Sequence, residues 1–198
     1  MTQLLLASRN PGKCREMRVL LQPLGAEIID VLELGTELRI DEIGKTYAEN
    51  ARLKAGVFAE HFQIWTIGDD TGLEVDALEG APGLRSARLT GPGGSDADRR
   101  NHLLSMLGSH PRPWTARFRC VVALAGPDGG IDLAEGACEG EIIPTERGDG
   151  GFGYDPIFLV KGMDRTMAEI SAEEKNRVSH RARAVQALFP TLILRLGV

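Results

Sequence analysis

No run of eighteen apolar residues occurs in the chain, so the sequence predicts no transmembrane helix. The opening MTQLLLAS has too short an apolar stretch and no basic flank for a secretory signal. Cysteine is scarce: Cys14, Cys120 and Cys138 form an odd set with no CxxC pair, and Cys120 lies in the apolar FRCVVALA, as a buried thiol would. That usage fits a reducing, cytoplasmic setting. An excess of positive charge is missing too. The formal charge is −5, which argues against a nucleic-acid coat and any stable nucleic-acid partner. Internal repeats and low-complexity tracts are absent.

What is present is 198 residues, 42% of them hydrophobic, enough for one domain spanning 1–198. Charge is unevenly spread. Residues 41–79 are acid-rich, whereas Lys161 to Arg183 carries six Lys or Arg against four acids. A metal beside a polyanion would suit that division, and so would two solvated faces.

Leu4–Ala7 reads as a short buried strand. Asn10 can cap the following helix, with Pro11 at its first position, where a missing N–H costs nothing. Met17, Leu20, Leu21 and Leu24 then supply an apolar stripe. Thr46 and Glu49 predict a capping box for a second helix, on which Asn50 and Lys54 share a face. FQIWTIGDDTG reads as a strand entering a turn, with Asp69 and Asp70 at its C-terminal end, and LEVDAL as a separate half-buried strand. Ser95 and Asp98 start a helix after a loose Gly/Pro stretch. Two antiparallel strands joined at GPDGG follow, then the glycine-rich loop ERGDGGFGYDPIF. Ser171 and Glu174 cap a last helical region, with a stripe of Val178, Ala182, Val185, Leu188 and Phe189 that Pro190 ends. This order predicts an α/β fold, a mixed sheet flanked by helices.

Four segments could carry chemistry. In LLLASRNPGK, Ala7 and Cys14 break the Walker A pattern twice. Ser8, Asn10, Gly12, a helix N-terminus and Lys13 nonetheless suit an anion, and an ordinary turn explains the same residues. In GDDTGL, adjacent carboxylates are costly to bury together unless a cation relieves them, and Mg²⁺ bridging carboxylates and phosphates does so. An Asx-type turn is the alternative. Asp41 and Glu42 lie just before the second helix, and Glu49 reads as its cap. GGFGYDPIF sets Phe152 and Tyr154 beside glycines, where an aromatic can stack a base or plug a small core. EEKNRVSHRARA holds Lys175, Arg177, His180, Arg181 and Arg183, a solvated basic face unless the chain kinks near SHR. Together the four outline a triphosphate, its Mg²⁺ and its base.

In that combination the chain resembles the nucleoside triphosphate pyrophosphatases that remove inosine, deoxyinosine and xanthosine triphosphates. SRNPGK, TYAENARLKA, DDTGLEVDAL with GAPG and SAR, GGFGYDPIF and AEISAEEKNRVSHRARA occur in the family's order from Leu4 to about Ala184. The resemblance implies an elongated two-lobed α/β fold with a substrate cleft between the lobes, usually a homodimer. It also implies Mg²⁺-dependent hydrolysis of ITP, dITP or XTP to the monophosphate and pyrophosphate, which cleanses the nucleotide pool. By motif, Ser8, Arg9, Asn10, Pro11, Gly12 and Lys13 would grip the phosphates, with Lys54 assisting. Asp70 would be the general base and a metal ligand. Glu42 is taken as the second ligand, with Asp41, Glu49 and Asp69 as the other candidates. Thr71 would touch substrate, and Phe152, Gly153, Tyr154, Asp155, Lys175, His180 and Arg181 would hold the base.

The chain departs from the family pattern at Arg9, where a small residue is common and an extra phosphate contact would result. It departs again at Arg85, where an aromatic is usual. Choice of a 6-oxo over a 6-amino purine requires donors aimed at O6, from His180, Arg181 or backbone amides, and such pairing can discriminate by up to about 10⁴–10⁵. A Maf-like pyrophosphatase would show SPRR where this chain has NPGK, and would lack SHR. A non-catalytic nucleotide sensor could dispense with Asp70.

Overall fold

A computed structural model describes residues 2–91 and 93–198; Pro92, in the loose Gly/Pro stretch, lies outside the described residues. The first apolar run forms strand β1 (Gln3–Leu6) and enters helix α1 (Pro11–Leu21) through Asn10. Strand β2 (Glu27–Asp30), not expected from the sequence, pairs parallel with β1. Helix α2 (Tyr47–Phe62) follows a long connection. The Thr46 hydroxyl accepts from the Glu49 N–H at its start, but the Glu49 carboxylate accepts from Lys45 N–H rather than completing the box at Thr46.

Strand β3 (Thr66–Val75) corrects one expectation: TIGDDTGLEV is a single ten-residue strand, with no turn after Asp70. Its first residues pair parallel with β1, and Leu73 and Glu74 pair antiparallel with the two-residue strand β4 (Pro82–Gly83). Its other neighbour in the sheet is β5, so the strand is flanked by hydrogen-bonding partners that hold it extended. Helix α3 (Asp96–Leu107) begins at a complete Ser95–Asp98 capping box. Strands β5 (Trp114–Ala125) and β6 (Ile131–Ile142) are joined by a turn in which the Gly126 N–H donates to Gly130 O. The glycine-rich loop ends in a 3₁₀ turn over Asp155–Ile157 and strand β7 (Phe158–Val160), antiparallel to β6. The mixed sheet runs β2-β1-β3-β5-β6-β7, with β4 beside β3.

The basic C-terminal region is two helices, α4 (Ala172–Val178) and α5 (His180–Leu196), because Ser179 is extended at φ −68°, ψ 155°. Pro190 does not end α5, as the sequence suggested. The helix continues because Leu192 and Leu196 extend the buried stripe of Val185 and Leu188, while Pro190 itself is exposed.

The chain divides into two compact units. The first comprises 1–70, 120–136 and 181–198, and the second 71–119 and 137–180. In the first, Leu4, Leu6 and Ile67 pack with Met17 and Leu21 of α1 and with Val185, Leu188 and Leu192 of α5. A separate cluster sets Ala51, Ala55 and Ala59 of α2 against Val121, Ala123 and Ala125. In the second unit, Leu73, Leu103, Leu107, Phe118, Tyr154, Ile157 and Phe158 share one core. Fully burying a Leu or Phe side chain contributes roughly 1.5–3 kcal/mol, so each core holds its share of the site rigidly.

Candidate active site

The loop after β1 is shaped by Asn10. Its side-chain oxygen accepts from the N–H groups of Gly12 (2.8 Å) and Lys13 (3.1 Å), while the Asn10 N–H donates to Ser8 Oγ at 3.3 Å. Pro11 occupies the first helical position. Two of the amides that the sequence offered to an anion are therefore already donated to the cap. What the loop presents is the positive helix end, the Ser8 hydroxyl and the Lys13 ammonium. The Arg9 guanidinium donates to the backbone oxygens of Thr36 and Leu38, tying down the connection that carries Glu42.

Asp69 and Asp70 are consecutive on β3, so their side chains leave opposite faces of the strand. Asp69 is buried, 2.8 Å from Lys13 Nζ and 3.4 Å from Arg181 Nη2. Burial would raise its pKa, but the charges of Lys13, Arg181 and Lys54 outweigh that and hold it far below the usual carboxylate range. Arg181 is only 1% exposed and also pairs with Glu16 of α1. Within the first unit its guanidinium serves this carboxylate network. Helix α5 turns the side chain toward Glu16 of α1 and Asp69 of β3.

On the other face, Asp70 Oδ2 accepts from Asn50 Nδ2 at 2.9 Å, and Oδ1 lies 3.8 Å from Lys54 Nζ. Lys54 also pairs with Glu42 Oε1 at 2.8 Å. Asn50 is oriented by the Gly44 N–H, which donates to its Oδ1 at 2.8 Å and leaves the NH₂ for Asp70. Burial pushes the Asp70 carboxyl above its ordinary pKa, against the opposing pull of Lys54 and the Asn50 hydrogen bond. Burial would lower Lys54, but the negative charges of Asp69, Glu42 and Asp70 raise it instead. A buried carboxylate of raised pKa beside an amide donor and a lysine is equipped to take a proton. Close packing makes this possible: a Cβ on Gly68 would sit 2.9 Å from Ala55 N and 3.0 Å from Ala51 O. Asn50 and Gly68 were absent from the sequence-derived site, although the four-residue spacing of Asn50 and Lys54 carried the signal.

Among the described residues no cluster of three His, Cys, Asp or Glu side chains is arranged to hold a metal. The donor set still discriminates among the candidates. Asp69 is engaged by two cations, Glu49 by the Lys45 amide, and Asp41 is exposed. Glu42 and Asp70 instead converge on one positive charge, the Lys54 ammonium. Two carboxylates so placed fit a hard divalent cation.

The second unit gathers the other predicted residues. Asp155 Oδ2 accepts from the Phe152 N–H at 2.9 Å and from the Lys175 ammonium, which lies 5.0 Å from the Phe152 ring centroid. Gly153 adopts φ +64° and completes the loop. Tyr154 is buried, its hydroxyl donating to Ser86 O at 2.8 Å, and burial pushes its pKa up to about 12. His180 is buried and stacks on Phe118 at 4.8 Å between centroids. Thr71, next after Asp70 on β3, is half-buried, and Arg85 is exposed at the start of a 3₁₀ turn over Ser86–Arg88.

Fold and site together define an α/β protein with a buried carboxylate–lysine centre and a separate aromatic–lysine–aspartate set. The chain belongs to the Ham1 family, whose model matches residues 4–191. It is 45% identical over 191 residues to a dITP/XTP pyrophosphatase of Desulforamulus reducens, covering 96% of this chain and 95% of the relative. It is 48% identical over 195 residues to one of a Nostoc species, covering 98% and 96%. The Ham1 protein of Staphylococcus aureus superposes with a TM-score of 0.86 at 38% identity, covering 98% of this chain and 100% of that one. A HAM1 protein from Coxiella burnetii gives 0.87 at 38% identity, covering 97% and 98%.

Proposed function

We infer that this chain is a nucleoside triphosphate pyrophosphatase that hydrolyses dITP, ITP and XTP to the monophosphate and pyrophosphate. It thereby keeps non-standard purines out of DNA and RNA. The relatives named for that activity match over nearly their whole length. The observation that carries the chemistry is Asp70, a buried carboxylate of raised pKa held by Asn50 and Lys54.

Asp70 orients a water and takes its proton as the water oxygen bonds to the α-phosphorus. The bond from that phosphorus to the α,β-bridging oxygen breaks, and pyrophosphate leaves. A positioned base of this kind contributes roughly 10²–10⁴-fold. Ser8, Lys13 and the N-terminus of α1 take the phosphates, and Lys54 keeps Glu42 and Asp70 in place. Glu42 and Asp70 would hold Mg²⁺, which when bound offsets phosphate charge. Phe152 offers a face to the purine, with Lys175, Asp155 and His180 as its polar surroundings. We assign the enzyme to the cytoplasmic nucleotide pool and to a homodimer, readings supported by its buried free thiols and by the family resemblance respectively. Among the described residues, no helix is long and apolar enough to cross a membrane.

The test is turnover of ITP, XTP, ATP and GTP in ¹⁸O-water, with Mg²⁺ or EDTA. The expected outcome is pyrophosphate plus monophosphate, the label in the monophosphate, a preference for ITP and XTP, and no turnover in EDTA. Orthophosphate with diphosphate, or label in pyrophosphate, would overturn the mechanism. Equal rates on ATP and ITP would overturn the specificity.

A further inference from the structure

The loop around Gly153 is held from its outer side by helix α3. The Gly153 N–H donates to Asp96 Oδ2 at 2.8 Å, and its carbonyl oxygen accepts from Arg100 Nη1 at 2.9 Å. Asp96 and Arg100 are four residues apart and so share one helix face. They grip one peptide residue by its donor and its acceptor. The grip is itself braced. Glu146 holds Arg100 through two hydrogen bonds, Nε to Oε1 at 2.8 Å and Nη2 to Oε2 at 2.9 Å, and Arg99 pairs with Asp96. The Ser95–Asp98 capping box fixes the helix start that sets Asp96 in place. From the inner side, Asp155 holds the Phe152 N–H and the Lys175 ammonium.

The hydrogen bonds of Asp96 and Arg100 meet at the Gly153 peptide, next to Phe152 and two residues before Asp155 in the chain. Their effect passes through Gly153, whose φ of +64° is a conformation that costs other residues energy and must be maintained. We propose that Asp96 and Arg100 are positioning residues for purine selection, clamping Gly153 so that Phe152, Asp155 and Lys175 stand preorganised for the base. The proposal rests on the pyrophosphatase reading for its substrate. It assigns α3 a part in specificity and none in the hydrolytic step, since a preorganised loop lowers the ordering cost of binding the base and leaves the chemistry at the α-phosphorus alone.

The test uses the full chain carrying Asp96→Ala, Arg100→Ala or the milder Arg100→Lys. The lysine variant retains one donor for Gly153 O without the two-point link to Glu146, so it remains informative if the alanine forms fold poorly. Two readouts are taken. Amide exchange of the peptide spanning 150–156 should accelerate in both alanine variants, and less in Arg100→Lys, while the 103–107 part of α3 stays protected. In turnover, KM for dITP should rise about tenfold, kcat should stay within about twofold, and the preference for dITP over dATP should fall.

Unchanged exchange in the loop would overturn the clamp. Faster exchange with unaltered KM and preference would overturn its role in selection, as would a fall in kcat with KM unmoved. If the unmodified chain releases no pyrophosphate from any nucleotide, the pyrophosphatase reading fails and the selection role fails with it. The exchange result then still decides whether the clamp exists.

Discussion

Lys13 Nζ and Asp69 Oδ2 lie 2.8 Å apart, so the lysine of the phosphate loop is moored to a buried carboxylate. Asp69 keeps Arg181 as a second cation, so Lys13 can share its charge with an incoming anion without stranding the carboxylate. Lys13→Met should raise KM for dITP by about tenfold or more, the loss expected for one charge-assisted contact, with only a small fall in stability. Steady-state kinetics and urea unfolding check the two halves.

Asp69→Asn should behave in the opposite way. Arg181 is buried and would keep only Glu16 as a compensating charge, so the loss should approach but not exceed the cost of a broken buried pair, about 3–5 kcal/mol. The sign with pH follows from the lowered pKa. The unfolded chain binds the proton first as pH falls, so stability is full above the ordinary aspartate range and is lost below it. Urea midpoints from pH 7 to pH 3 should fall steeply for the native chain and less steeply for Asp69→Asn.

For Asp70 the signs reverse. Its raised pKa means the folded state favours the protonated form, so ionising it as pH rises costs stability. The base must be ionised to act, so kcat/KM should climb with pH on an acidic limb that Asp70 carries. Asp70→Asn should lower kcat by about 10²–10⁴-fold and remove that limb. A retained acidic limb would assign it to another group.

Gly68→Ala tests the seating of α2. The new Cβ would stand 3.2 Å from Lys54 Cβ and closer still to the helix backbone. Overpacking of this kind costs typically about 1–3 kcal/mol. The helix must retreat from β3 and carry Asn50 and Lys54 away from Asp70. Activity should therefore fall by more than a second destabilising variant of equal melting temperature, such as Leu107→Ala in the other unit.

Tyr154→Phe separates a core tyrosine from a base platform. The hydroxyl donates to Ser86 O inside the second core, so its loss should cost about 1 kcal/mol. KM for dITP should move less than about twofold, well short of the stacking loss of about 1–3 kcal/mol expected for a true platform residue. Calorimetry and kinetics on the same preparation decide it.

Local chemistry made much of this legible. Asn10 and Pro11 announced α1, and Ser95 and Ser171 announced their helices, because caps are satisfied within a few residues. The mixed sheet followed from the order of apolar runs. What stayed hidden depended on neighbours distant in sequence. The unbroken β3 needs β1, β4 and β5 as sheet neighbours, and nothing in TGLEV records them. Arg181 reads as basic surface until α5 buries it against Asp69 and Glu16. Likewise, no local pattern marks Asp96 and Arg100 as partners of a glycine more than fifty residues away.

Strand β3 gives the site something like a reading frame. Odd and even positions face different partners, Lys13 and Arg181 for Asp69, Asn50 and Lys54 for Asp70. Exchanging one residue for another tunes a single face. Deleting one residue just before the pair would present each carboxylate to the other's partners, turning a base into a counter-ion. The long connection between β2 and α2 has no such parity, and only the ties of Arg9 and Glu42 fix its place.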